Sequence, residues 1–83
     1  MKNVTVKMRL YGAFRKYNDS VQLSVPLGSS VTAVQDALCQ VLGPQSRDLV
    51  MDSVIANDQI ILPPGFIIDA DSSLSILPPV CGG

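Results

Sequence analysis

The sequence closes on Leu77-Pro78-Pro79-Val80-Cys81-Gly82-Gly83, and the group there with the clearest chemical potential is the α-carboxylate of Gly83. Gly82 and Gly83 carry no side chain, so they can thread a channel that a leucine or lysine would block. The carboxylate is ionised at neutral pH and resists nucleophiles until one oxygen becomes a leaving group, as in an acyl-adenylate. The chain lacks the means to do this itself: it has no histidine, no glycine-rich phosphate loop and no acid–base pair at a telling spacing. Cys39 lies in an apolar periodic stretch and reads as a core residue. Cys81, beside the glycines, reads either as a small neutral spacer or as a thiol able to form a persulfide or a mixed disulfide with a partner. Two cysteines without Cys-x-x-Cys spacing make no zinc site. The expectation is a non-catalytic carrier, loaded at Gly83 by a partner enzyme, with no catalytic or metal-binding residue and no bound cofactor of its own.

Such a tail needs a domain to present it, and the hydropathy pattern supplies one. Val4, Val6, Met8 and Leu10 alternate with Asn3, Thr5, Lys7 and Arg9, which predicts a half-buried strand over 3–10. Val21, Leu23 and Val25 repeat the pattern. The short connection through Gly12 and Asn18-Asp19-Ser20 predicts an antiparallel hairpin with room for one helical turn. A helix follows, with Val31, Val34, Leu38, Val41 and Leu42 on one stripe. Its N-cap is Thr32, in a capping box with Gln35, or Ser30; Asp36 is placed to complement the helix dipole, and Gly43-Pro44 stops the helix.

Beyond the helix, Asp48–Asp52 predicts a short helical turn. Val54–Ala56, Gln59–Leu62, Phe66–Ile68 and Ser73–Leu77 predict short strands separated by turns. Pro78-Pro79 ends the last strand, because proline donates nothing to a ladder, and favours an extended exit. The order predicts a two-layer α+β domain, with the one amphipathic helix buried on a sheet face. Residues 1–78 form the domain and 79–83 a flexible C-terminal tail.

Composition narrows the partners. The chain has 83 residues, enough for one domain with a thin core. It carries six Lys plus Arg against seven Asp plus Glu, with no basic run, which argues against nucleic acid as a partner. No basic residue follows Arg47, so the second half is acidic. No apolar stretch is long enough for a membrane span. The N-terminus has no signal-peptide pattern, so the expected compartment is the reducing cytoplasm.

The two opening strands, the single helix and the closing Leu-Pro-Pro-Val-Cys-Gly-Gly resemble the ubiquitin-like β-grasp sulfur carriers. The likeness is nearest to the small subunit of molybdopterin synthase and the thiamine sulfur carrier. The family closes with a hydrophobic residue, Pro-Pro-Val, a small residue and Gly-Gly, and residues 77–83 match that pattern with Cys81 in the small-residue place. Arg9-Leu10-Tyr11-Gly12 to Tyr17 is similar to the family's first loop. Asp69-Ala70-Asp71-Ser72 stands where the family usually has a Gly-Asp-type turn.

The resemblance implies a ubiquitin-like β-grasp fold, an α+β architecture with a mixed sheet packed on one main helix, and a defined chemistry. An E1-like adenylating enzyme uses ATP and Mg to adenylate Gly83, and a persulfide donor supplies the sulfur of a thiocarboxylate. A large synthase subunit or another acceptor then takes that sulfur, in molybdopterin biosynthesis. Thiamine, cysteine, siderophore or tRNA thiolation, or a role as a ubiquitin-like protein modifier, are the alternatives. Val80, Cys81 and Gly82 would thread the partner's active site. Phe66, Ile60 and Pro78 read as docking residues. The apolar run 60–68 reads equally as ordinary core, and Arg9, Arg15 and Lys16 as docking aids or a solvated face.

Overall fold

The computed structural model describes residues 2–79. The expectations placed on Val80, Cys81, Gly82 and Gly83 lie outside the described residues. Strand β1 (Asn3–Leu10) and strand β2 (Ser20–Pro26) form the expected antiparallel hairpin, with Met8 opposite Val21 and Val4 opposite Val25. A 3-10 turn, Gly12–Lys16, occupies the loop between them, pinned by the fully buried Phe14. Next come β3 (Ser29–Ser30), helix α1 (Val31–Leu42), a 3-10 turn at Pro44–Ser46 and helix α2 (Arg47–Asp52). Strands β4 (Val54–Ala56), β5 (Ile61–Leu62), β6 (Ile67–Ile68) and β7 (Ser72–Leu77) complete the order.

Five strands make one mixed sheet in the order β2-β1-β7-β4-β5, and β3 with β6 makes a second, two-stranded ribbon. The central pairing is parallel: β7 lies along β1, with Met8 beside Leu74 and Leu10 beside Ile76. The even-numbered residues of β1 are buried and the odd-numbered ones exposed, as a period of two on a sheet covered on one side requires. Val4, Val6, Met8, Leu10, Leu23, Val25, Ile55, Leu74 and Ile76 share one core with Val31, Val34, Leu38 and Leu42 of α1.

Three details of the helix settle or correct its sequence reading. Ser30 is the N-cap: its Oγ accepts from the Ala33 N–H at 3.3 Å. The Thr32–Gln35 box is not formed. The Thr32 N–H and hydroxyl both donate to the Pro64 carbonyl, each at 3.3 Å, and Val31 N–H donates to the Phe66 carbonyl. The Pro64 carbonyl thus takes the Thr32 N–H that the Gln35 side chain would accept in a box. Second, Gln35 is buried and Val41 is 55% exposed. Helix α2 packs beside α1 on the Gln35 side, where Gln35 Nε2 donates to the Val50 carbonyl at 3.3 Å. Third, Asp36 lies beyond the first turn and pairs with Arg47 at 3.6 Å. Gly43, at φ +106°, ends α1 as the sequence predicts.

The 59–62 strand is shorter than predicted. Asn57 Oδ1 accepts from the N–H groups of Gln59 and Ile60, both at 2.8 Å, and so holds them in a turn before the ladder begins at Ile61.

Candidate functional site

The candidate site is the root of the tail and the sheet face around it. Because α1 covers only the even side of β1, the opposite face of the sheet is open. On it, Lys7 stands between Gln22 and Ser73, and Arg9 between Ser20 and Ser75. This half of the face is polar. Toward the end of β7 its character changes. Leu77 is paired with Val54, and Ala56 stands between Ser75 and Ile61. Leu77, Val54, Ala56 and Ile61 are therefore an apolar cluster on the open face, immediately before the chain turns into Pro78. Val54 is 41% and Ile61 61% exposed, although both sit in a regular sheet. Large apolar side chains held out to water by a rigid sheet favour burial against a partner.

Ile60, one of the residues read as docking, is exposed in the turn that leads into this cluster. Pro78, another, borders it and is half-buried. A Cβ built on Gly12 would lie 2.6 Å from Pro78 Cγ, so the proline ring rests directly on that glycine. Phe66 is elsewhere. Its carbonyl accepts from the Val31 N–H at 3.0 Å, beside the ribbon of β3 and β6, at the end of the sheet where β1 and β7 begin. Sequence reading missed Val54 and the support that Gly12 gives Pro78. Period-two alternation would have placed Val54 opposite Ile55's side of the sheet, but only the register sets it beside Leu77.

The basic residues of the first loop are surface groups. Arg15 pairs with Asp19 at 3.5 Å, and the Lys16 ammonium lies 5.3 Å from the centre of the Tyr17 ring. Cys39 is buried, as its place in the helix predicts, and lines a shallow cleft of about 410 Å³ with Asp36, Gln40, Pro44 and Arg47. Burial pushes its thiol above the ordinary range, and the Arg47 guanidinium offsets this only in part. At neutral pH Cys39 is therefore a thiol, a poor nucleophile. Among the described residues no three potential ligands group into a metal site, and no helix is long and apolar enough to cross a membrane.

The strand order, the parallel central pair and the single covering helix define a ubiquitin-like β-grasp domain. The chain superposes on small archaeal modifier protein 1 of Haloferax volcanii with a TM-score of 0.79, at 17% identity, over 93% of this chain and 99% of that one. It is equally similar to a Pyrococcus furiosus protein provisionally described as molybdopterin converting factor, subunit 1: TM-score 0.77, 18% identity, 93% of this chain and 99% of that one. Against the ubiquitin of Caldiarchaeum subterraneum the TM-score is 0.67, at 13% identity, over 99% and 100% of the two chains. At such identities the likeness establishes the fold. No family model and no curated protein matches the sequence.

Proposed function

We propose that this domain is a sulfur carrier whose Gly83 is adenylated and converted to a thiocarboxylate, with molybdopterin biosynthesis as the receiving pathway. The observation that carries the reading is the course of β7. Its last residue, Leu77, lies on the open apolar cluster, and the chain then continues through Pro78-Pro79 to Val80-Cys81-Gly82-Gly83. A partner seated on Leu77, Val54 and Ile61, with Ile60 and Pro78 at its rim, would have the tail delivered to its own active site. The fold shared with the P. furiosus converting factor subunit supports the choice of pathway.

The Gly83 carboxylate attacks the α-phosphorus of ATP, held with magnesium by an E1-like adenylating enzyme, and pyrophosphate leaves. The terminal sulfur of a donor persulfide attacks the acyl carbon and AMP leaves. A thiol then reduces the resulting acyl disulfide, which frees the thiocarboxylate and leaves the donor sulfur in a new disulfide. Val80, Cys81 and Gly82 occupy the partner's channel during these steps, and Cys81 serves as a small spacer.

The test is intact mass after incubation with the E1-like enzyme, Mg-ATP, a persulfide donor and a thiol. Sulfur in place of one oxygen supports the carrier, and removal of Gly83 must abolish the gain while the domain still melts cooperatively. A second reading, a protein modifier joined to lysine, is favoured by the likeness to small archaeal modifier protein 1. It predicts high-mass adducts in the same assay. An unchanged mass with no adducts defeats both readings.

A further inference from the structure

We infer that Gly12 is a positioning residue for the tail: it is the shelf on which Pro78 rests, and so it sets where the last residues of the chain begin. The inference rests on the carrier reading above and names a residue that acts through another. The ladder between β1 and β7 ends at the Leu10–Ile76 pair. Neither Pro78 nor Pro79 has an N–H with which to extend it. Beyond Leu77 the direction of the chain is therefore left to packing, and the Pro78 ring packs on Gly12.

Two properties of Gly12 make the shelf. Its φ is +58°, in the left-handed region, and a Cβ would stand 2.6 Å from Pro78 Cγ and 3.4 Å from Cδ. A long side chain could swing aside from such an approach, but a proline ring is fixed to its own backbone. The Gly12 side of the contact is equally firm. Leu10 N–H donates to the Asp19 carbonyl at 3.0 Å, Phe14 N–H to the Tyr11 carbonyl at 3.1 Å, and Phe14 is fully buried. Any side chain at position 12 thus moves the path after Leu77 and not the loop. Misplacement of a reacting atom by about 1 Å lowers a rate on the order of a hundredfold. Leu77, Val54 and Ile61 of the docking cluster, fixed by the sheet, stay in place, and Pro78 at its rim moves.

The experiment compares Gly12→Asn, Pro78→Ala, their combination and Gly28→Asn. Asparagine tolerates positive φ better than other residues, so it adds the Cβ with little backbone strain. Gly28, at φ +89° with nothing within 4 Å of its absent Cβ, is the control for strain alone. The readout is steady-state pyrophosphate release by the E1-like enzyme with Mg-ATP, a persulfide donor and a thiol, with the carrier as varied substrate. Gly12→Asn is expected to lower kcat about tenfold or more at a KM for the carrier within about twofold of wild type. Gly28→Asn is expected to keep both values. With Pro78→Ala in place, adding Gly12→Asn is expected to have little further effect, because both changes remove one contact. A folded Gly12→Asn protein with wild-type kcat, or effects that simply add, overturns the inference and leaves the carrier reading intact. A wild-type protein that the enzyme never adenylates overturns the carrier reading itself.

Discussion

The Asp71 carboxylate accepts a hydrogen bond from the Thr5 N–H at 2.7 Å, joining residues 66 apart in the chain. The bond lies where β7 enters the sheet, at the opposite end from the Pro78 contact. A parallel strand has no hairpin turn to set its register, so a side chain that reaches across to β1 does that work.

Removing this fastening has a defined cost. Asp71→Ala is expected to lower stability by about 1 kcal/mol, since the bond is exposed to water. Chemical denaturation measures it, and an unchanged midpoint would mean that the Ile76 and Leu74 contacts hold the register unaided. The distal tail root should feel nothing, so kcat for adenylation stays at the wild-type value.

Val54→Asp places a charge opposite Leu77 on the open face. It is expected to weaken the complex with the adenylating enzyme by about 2 kcal/mol, as at the centre of an interface, with a melting temperature close to wild type. Ile61→Asp should behave alike. Phe66→Ala, at the other end of the sheet, should leave the affinity unchanged. Isothermal titration of the three variants separates the outcomes, and a loss confined to Phe66→Ala would relocate the docking face.

Cys39 gives a pH signature. Its folded thiol is held above the ordinary range by burial, so the folded state keeps a proton that the unfolded chain gives up. The associated stability is fully present below the ordinary thiol pKa and declines as pH rises through that value toward the folded one. In a Cys81→Ser background, the free energy of unfolding should fall above about pH 8.5. Cys39→Ala should lose that part of the decline. Labelling of the native Cys39 by a thiol reagent should be at least about tenfold slower than in denaturant.

Ser30→Ala removes the side-chain cap of α1 and is expected to cost about 1 kcal/mol in thermal or denaturant unfolding. Thr32 tests the alternative. Its hydroxyl bonds the Pro64 carbonyl, so Thr32→Val should weaken the grip of the 63–66 loop on the helix while the cap persists.

Local pattern was enough to read β1, β2 and α1, because each is long and one-sided: every second or third residue reports the same buried face. Where that pattern failed, the deciding neighbour was remote. Gln35 is buried through a carbonyl on α2, Thr32 is diverted from its box by Pro64, and Gln59 and Ile60 are held in a turn by Asn57. The tail motif was plain in the sequence as well. Its support was not, since a glycine before a loop and a proline after a strand give no sign that they touch. Register brings position 54 to position 77, and packing beyond the last β1–β7 pair, Leu10–Ile76, brings Pro78 onto Gly12.

The parallel course of β1 and β7 also decides how this molecule can be handled. Asn3, at the head of β1, stands seven steps of about 3.3 Å, about 23 Å, from Leu10, and Pro78 lies beyond Leu10's partner Ile76. A fluorophore, affinity handle or surface tether joined ahead of Lys2 therefore emerges from the far pole. A tethered copy would present the Pro78 end of the domain outward.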